Sequence, residues 1–596
     1  MLQTAETIFI DIETNGLDPS VIWCVCVSVY RGDELRVSRT FSDSGEFADF
    51  IDSRKQGTSL VAHNGLCFDF PVLEQLWGVD LSGFNLVDTL TLSRLSQPSR
   101  VKPEGMRENK PHSLEAWGIR LGFPKGDHDD WSCLSPEMIK YCQRDVEILR
   151  AAYVAIMKEL NGFEPQSITL EHEVASIIGR QVDLGWKLNV RAAYLLLAEL
   201  RERELQLEDE VHERFIPMVH KVREIIPKIK NDGKLSAVGI KFLGESCTTL
   251  VGGAFTRVDY PDFNLGSRKQ IGKYLQHFGW KPKQFTPKGQ PIVDETVLEG
   301  VDIPEAQLIA EYLTVGKRVA MIQSWVDSVD EDDRVHGYVN SNGAVTGRMT
   351  HSDPNVAQVP AKGKPYGEEC RALWTVKEGY KLVGADASGL ELRMLAHYMN
   401  DPEFTHAVCE GREEDGTDIH TVNQRRAGLA TRRQAKTFIY AFLYGAGDGK
   451  IGEIVGGDKQ DGARLKAKFL KATPALQKLR GRVEVASRRG WLKGLDGRRV
   501  AVRSTYAALN TLLQSAGAVV MKQALVLHME EVAKQHLVGA PVGNIHDEIQ
   551  SEVLGEHARQ WGQSVVRSIV YAGEHFNLRC PLDGAYKIGN NWAQTH

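Results

Sequence analysis

Apolar residues near the start of the chain come in short runs. Ile8-Phe9-Ile10, Val25-Cys26-Val27-Ser28-Val29 and Leu60-Val61-Ala62 have strand length, while Pro136 to Leu160 carries apolar residues at helical spacing. This alternation predicts an α/β layer over residues 1 to about 165. The pattern then changes. Val190 to Glu213 reads as a long amphipathic helix rich in Leu, Glu and Arg. A basic stretch broken by Pro and Gly runs from Pro217 to Gln290, and a further helix from Pro304 to about Asp327. Residues 166 to about 335 are therefore expected to be mainly helical with an irregular middle. Beyond that the chain is mixed again. Tyr380 to Ala385 reads as a strand, and Thr431 to Tyr444 as a helix with Thr431 as N-cap and Gly445 as its stop. Asn544 to Val553 reads as two short strands joined by a tight turn. No internal repeat is visible.

A chain of 596 residues, 42% hydrophobic and 25% charged, is too long for one core, and three or four domains are expected. No apolar stretch approaches the roughly 20 residues of a membrane helix. The first residues lack a secretion pattern, so a cytoplasmic protein with no membrane partner is expected. The nine cysteines are scattered, and Cys24 and Cys26 form a C-x-C that reads as reduced thiols rather than a zinc site. The net charge of −6 argues mildly against a nucleic-acid partner. Yet base is clustered locally. One group is Arg480, Arg482, Arg488, Arg489, Lys493, Arg498, Arg499 and Arg503; a second is Lys221, Arg223, Lys228, Lys230 and Lys234. These are phosphate contacts only if DNA lies nearby.

The chemistry begins with Asp11 and Glu13, two apart on the first predicted strand and so on one face. Two acids alone would fit a solvated or salt-bridged pair. His63-Asn64-Gly65-Leu66-Cys67-Phe68-Asp69 adds a third acid. Tyr141-Cys142-Gln143-Arg144-Asp145 adds a fourth, with Tyr141 and Asp145 sharing a helix face. Four acids and a tyrosine suit two-metal phosphodiester hydrolysis. In this order the motifs resemble the tyrosine form of the DEDD exonucleases. The resemblance implies an RNase H-like fold and 3′→5′ exonuclease activity, with Asp11, Glu13, Asp69 and Asp145 as metal ligands and Tyr141 orienting water.

A second set starts at Leu382-Val383-Gly384-Ala385-Asp386-Ala387-Ser388-Gly389-Leu390-Glu391-Leu392-Arg393, a strand delivering Asp386 into a turn and helix. His546-Asp547-Glu548 sits at the later hairpin turn; alone it would pass for a surface turn. Between them, Arg432, Lys436, Tyr440 and Tyr444 recur every four positions, drifting about 40° per step into one broad stripe. Two cations and two aromatics suit a triphosphate at one end and a base or sugar at the other. The ordered set resembles family A DNA polymerases, supported by Thr346-Gly347-Arg348, Asp418-Ile419-His420-Thr421 and Gln514. Its wording is most similar to T7-type phage replicative polymerases.

That resemblance implies a multidomain α/β and α+β chain: an RNase H-like exonuclease domain, then a right hand of palm, fingers and thumb. The expected divisions are 1–165 exonuclease, 166–335 linker and helical thumb, 336–398 first palm part, 399–509 fingers and 510–596 second palm part. It implies two Mg²⁺ ions per site, with Mn²⁺ able to substitute, held at the polymerase site by Asp386 and Asp547. Arg432, Lys436 and His420 are implied triphosphate contacts, with Lys436 also able to protonate pyrophosphate. Tyr440 is implied to stack near sugar and base, Glu391 to exclude a 2′-hydroxyl, and Tyr444 to fill the templating-base position. Arg348, Gln514 and His546 are implied DNA contacts. Implied partners are primer-template DNA, deoxynucleoside triphosphates, and possible helicase-primase and single-stranded DNA-binding proteins. The span from Asp145 to Asp386 is too short for a thumb plus a thioredoxin-binding insertion, so thioredoxin dependence is not expected. A stand-alone nuclease with a DNA-binding tail would explain only the first 165 residues, and a non-catalytic scaffold would not need every carboxylate intact.

Overall fold

The computed structural model describes residues 6–55, 57–225, 228–237, 240–241 and 255–596, with backbone alone for 220–223, 225 and 255–259. The first layer is a five-stranded sheet of β1 (Glu6–Thr14), β2 (Ile22–Arg31), β3 (Glu34–Phe41), β4 (Ser59–Ala62) and β5 (Asn85–Asp88), in the order β3-β2-β1-β4-β5. Central β1 runs antiparallel to β2 and parallel to β4. Its two-residue period separates two cores. Ile8, Ile10 and Ile12 join Val25, Val27, Leu60 and helix α1 (Asp69–Trp77) on one face. Phe9 joins Cys24, Cys26, Val61 and helix α2 (Pro136–Glu159) on the other. Asp11 and Glu13 share the parity of Phe9 and so face α2.

Helix α3 (Pro165–Leu184) follows directly and belongs to the same compact unit as the C-terminal layers. Its Glu171 is fully buried. Lys522 Nζ donates to Glu171 Oε1 and Oε2 at 2.6 and 2.8 Å, and Arg498 lies 2.6 Å from Oε1. Asp496 Oδ2 accepts from the same guanidinium at 2.6 Å. The expected segment 166–335 is thus divided, and the separate unit begins at Val190.

That unit comprises Val190–Asp327 and Lys364–Tyr366. Helices α4 (Val190–Arg214) and α5 (Pro304–Val326) are tied by Arg203 to Glu311 at 2.9 Å and by Arg201 donating to Gln323 at 2.6 Å. The rings of Phe215, Phe263, Tyr274 and Phe278 cluster within it. The expected irregular middle contains an antiparallel strand pair of His220–Ile225 with Phe255–Asp259, and a helix at Arg268–His277. That helix buries only Ile271, Gly272, Tyr274 and Leu275, a stripe too short to stand out in a basic stretch. Lys228, Lys230 and Lys234 are exposed there; the side chains of Lys221 and Arg223 lie outside the described residues.

The C-terminal layer is built from β6 (Tyr380–Ala387), α6 (Leu390–Met399), α7 (Arg432–Leu443), α8 (Ala508–Lys534), β7 (Gly539–Ile545), β8 (Glu548–Leu554), α9 (Ala558–His575) and β9 (Gly584–Gly589). The four strands form an antiparallel sheet in the order β7-β8-β6-β9. Helix α8, with the turn before it, is long and apolar enough to cross a membrane, contrary to the sequence expectation. Its apolar window is 72% buried, because it runs through the largest core with apolar residues all round.

Two candidate carboxylate active sites

Asp11 and Glu13 leave β1 toward α2, and their carboxylate oxygens lie within 4.8 Å of Cys142 Sγ and of each other. Cys142 also donates to the Asp11 carbonyl at 3.3 Å, fixing strand against helix. Asp69 begins α1, where the helix N-terminus offers free N–H groups. Asp145 sits one turn beyond Tyr141 on α2. Burial, then Asp145, Glu13 and Asp69, push the Asp11 carboxyl well above the usual range. Burial followed by Asp145 pushes Glu13 up to about 8. Burial raises Asp69 to about 7. Burial also raises Asp145, to about 6, against the lowering pull of Lys125. Glu13 Oε1 and Asp145 Oδ1 are buried without a hydrogen-bond partner. Crowded acids with orphaned oxygens are a donor set that divalent cations satisfy.

Lys125, which the sequence reading missed, stands at this cluster. Its Nζ lies 2.5 Å from Asp145 Oδ2 and 4.6 Å from the centre of the Tyr141 ring. His128 and Trp131, from the same loop, pack on Tyr141 at 5.7 Å each. The signal in the sequence was a lysine shortly before a helix carrying Tyr-x-x-x-Asp, which is not specific by itself.

At the second site, β6 carries Asp386 beside the β7–β8 turn. Asp386 pairs in register with Glu548, and Ala387 N donates to the Asp547 carbonyl at 3.2 Å. Ile545 pairs with Glu548, leaving His546 and Asp547 as a two-residue turn with His546 at φ +58°. Gly389, also left-handed at φ +58°, turns the chain from β6 into α6 without a Cβ penalty. Burial, then Asp547, then Glu548 push Asp386 up to about 6; burial raises Asp547 as well, against Arg348 and His546. Arg348 lies 3.8 Å from Asp547. Two raised carboxylates, one on β6 and one in the turn beside it, also fit a divalent ion.

Glu548 takes a different part. It accepts from Trp592 Nε1 at 2.9 Å and meets His596 Nδ1 at 2.8 Å, which holds its carboxyl below the usual range despite burial. It ties the short helix Trp592–Thr595 to the sheet.

Helix α7 is closed by a capping box between Thr431 and Gln434 and stopped by Gly445 at φ +76°. Its buried face is Ala435, Phe438, Ile439, Phe442 and Leu443; its other face carries Arg432, Lys436, Tyr440 and Tyr444. Arg432 pairs with Asp418 at 3.0 Å and Glu413 at 3.1 Å, while Lys436 is exposed. Burial, then Arg432, pull the His420 imidazole below its usual range, and its Nδ1 is buried without a partner. The Tyr440 and Tyr444 rings stack at 6.4 Å. Tyr444 OH donates to Glu391 Oε2 at 2.8 Å. Burial, then Glu391 and Asp547, raise the Tyr440 phenol, so the tyrosine end of the stripe lies near Glu391 and Asp547. Gln514 is half-buried on α8, and His546 is exposed.

The basic run at 480–503 is in part tied to the fold. Arg498 is buried in the Glu171 network, Lys493 pairs with Glu164 at 2.5 Å, and Arg503 donates to Ser99 at 3.0 Å. Arg489 and Arg499 lie over Trp491. Arg498 is sealed away from any phosphate, whereas the other four stay exposed beside their fold partners.

The model of DNA polymerase family A matches residues 241–594, and that of the RNase_H superfamily matches residues 8–117. DNA-directed DNA polymerases of Enterobacteria phage T3 and Escherichia phage T7 are each 36% identical, covering 98% of this chain and 99% of the relative. Their alignments run over 711 positions against 596 residues here, so this chain lacks positions they have. The POL domain of Pol1 from M. smegmatis, solved in complex with DNA primer-template and dNTP, has the same fold. It aligns with a TM-score of 0.75 at 19% identity, covering 100% of this chain and 97% of that one. Match and geometry agree: the chain belongs to DNA polymerase family A, with an RNase H-like domain at its N-terminal end.

Proposed function

We propose that the chain extends a primer 3′ end on a DNA template and proofreads it with a separate 3′→5′ exonuclease, in replication of a phage genome. The observation that carries this is the tyrosine end of the α7 stripe, where Tyr444 bonds to Glu391 and Tyr440 feels Glu391 and Asp547, beside the strand that bears Asp386. The proposed divisions are exonuclease 1–165, linker and thumb 166–335, palm 336–398 and 510–596, and fingers 399–509. The helix at Pro165–Leu184 would then join the exonuclease to the palm rather than serve the thumb.

Asp386 and Asp547 would hold the ions at one site, and Asp11, Glu13, Asp69 and Asp145 at the other. Mg²⁺ would supply charge opposite the reacting phosphate and acidify the attacking hydroxyl or water. Arg432, Lys436 and His420 bind the triphosphate, and a triphosphate would displace Glu413 from Arg432. Lys436, exposed and unburdened by an ion pair among those described, hands a proton to leaving pyrophosphate. Tyr440 supports the sugar and base. Glu391 closes the space at the 2′ position, and its bond to Tyr444 holds that ring over the templating position until a nucleotide enters. Arg348, Gln514 and His546 contact the duplex minor groove, where shared acceptors report pairing geometry. Tyr141 orients water at the exonuclease site. Primer-template DNA and deoxynucleotides are the substrates; a helicase-primase and a single-stranded DNA-binding protein are the expected protein partners, in the cytoplasm of an infected cell.

The test is a pair of variants. Asp386→Ala should abolish primer extension and keep 3′-end degradation; Asp11→Ala with Glu13→Ala should do the reverse. Loss of both activities in either variant contradicts two independent sites.

A further inference from the structure

We propose that Lys125 is the phosphate-binding residue of the exonuclease site, resting on Asp145 when the carboxylates hold no metal ion and turning to the scissile phosphate when they do. This rests on the exonuclease reading given above.

The position of Lys125 is built. Its loop links the helix Leu114–Arg120 to α2 and is pinned on both sides of the lysine. Before it, the Pro124 carbonyl accepts from Arg144 Nε at 3.2 Å, and the Arg144 guanidinium stacks 3.1 Å over Phe123. After it, His128 and Trp131 grip Tyr141, and Trp23 Nε1 donates to the Trp131 carbonyl at 3.0 Å. Its side chain is 27% exposed and its partner carboxylate 3% exposed, so the ammonium reaches inward from the rim. Among the described residues, no other cation comes within ion-pair distance of the four acids.

A plain salt bridge explains the contact but not its location. Buried ion pairs are poor stabilisers, because desolvation offsets attraction. Here the pair occupies an oxygen of a carboxylate that the proposed reaction needs for metal. Charge counting favours a second task. Four carboxylates are neutralised by two divalent ions, which leaves the lysine's single positive charge. One phosphodiester carries one negative charge. An ammonium on a four-carbon stem with three donors can move between the two acceptors without moving the loop.

The experiment uses the full chain carrying Asp386→Ala, so that tight Mn²⁺ binding reports the exonuclease carboxylates. Lys125→Met and Lys125→Arg are compared with this parent. Mn²⁺ is titrated calorimetrically, binding of a single-stranded 3′ end is measured in Ca²⁺, and kcat and KM for its degradation are measured in Mg²⁺. Lys125→Met should bind Mn²⁺ roughly fivefold tighter, having lost a competitor worth about 1 kcal/mol. It should bind the DNA end more weakly and lose about 10- to 100-fold in kcat. Lys125→Arg should recover much of both DNA binding and kcat. If Lys125→Met matches the parent in all three measurements, or binds Mn²⁺ more weakly with a lowered unfolding midpoint, the lysine is merely structural and the proposal fails. If the parent itself does not shorten 3′ ends, the exonuclease reading fails instead.

Discussion

Replacing Glu13 by Gln should stabilise the protein when metal is removed, although it destroys a proposed metal ligand. The Glu13 carboxyl is held at about 8 in the folded chain, against 4.5 for the unperturbed group, by burial and by Asp145. Because the folded value is raised, the unfolded chain releases this proton more readily. Folding stability is therefore complete below the unfolded value and is lost as pH rises from about 4.5 toward about 8. At about 1.4 kcal/mol per pH unit, the cost reaches roughly 4 kcal/mol at pH 8 and about 1 kcal/mol at pH 5. The amide replacement carries no charge but brings a buried NH₂ that must find an acceptor, at a cost of about 1–3 kcal/mol. The net gain in EDTA at pH 8 is then roughly 1–3 kcal/mol, or a few degrees for each kcal/mol. Differential scanning calorimetry at pH 5 and 8, in EDTA and in Mg²⁺, reads all four conditions. In Mg²⁺ at pH 8 the order should invert, because the ions stabilise the parent through a ligand the variant lacks. A Glu13→Gln midpoint below the parent's in EDTA at pH 8, or a gain equal at both pH values, would falsify the reasoning from crowded charge.

Glu171→Gln should cost about 3–5 kcal/mol in urea unfolding, because it leaves Lys522 and Arg498 buried with only Asp496 opposite; a loss under about 1 kcal/mol would mean the network relaxes freely. Tyr440→Phe should lower incorporation of dideoxynucleotides relative to deoxynucleotides in a chain-termination assay, and unchanged termination counts against its stacking near the sugar. Tyr444→Phe removes the bond to Glu391 and should weaken discrimination against a ribonucleotide only modestly, whereas Glu391→Ala should weaken it strongly; equal effects would show that the hydroxyl, not the carboxylate, closes the 2′ space. Adding thioredoxin should leave the length distribution of extended primers unchanged, and a large increase would overturn the expectation drawn from the short span before Asp386.

Elements with a strong period were legible from the chain. Helices α2, α4, α5 and α7 lie within a residue or two of their expected bounds, and the hairpin at β7–β8 turns at His546–Asp547 as its apolar flanks implied. The parity of Asp11 and Glu13 was legible for the same reason, since a two-residue period leaves no choice of face. Less legible was helix α3. Its sequence reads as the start of a helical region, yet Glu171 pairs with Lys522 and Arg498, more than 300 residues further along. Local pattern gives the type of an element and not which distant core receives it.

The same limit governs the charges. Carboxylates in the two sites were identifiable because each lies in a short motif with its own geometry. The basic residues were not, because a cation's role depends on which anion reaches it. Arg498 stands in a basic run and Lys125 before an acidic one, yet neither setting names its anion; in the fold one is sealed against Glu171 and Asp496, and the other reaches Asp145 from a rim. Arg432 lies between these cases, parked on Asp418 and Glu413 yet one-third exposed at the mouth of a stripe. What separates a structural cation from a substrate-binding one is whether its partner can be exchanged. Burial decides that: an ion pair closed on all sides must be paid for permanently in desolvation, whereas one at a rim can pass its charge to an incoming phosphate.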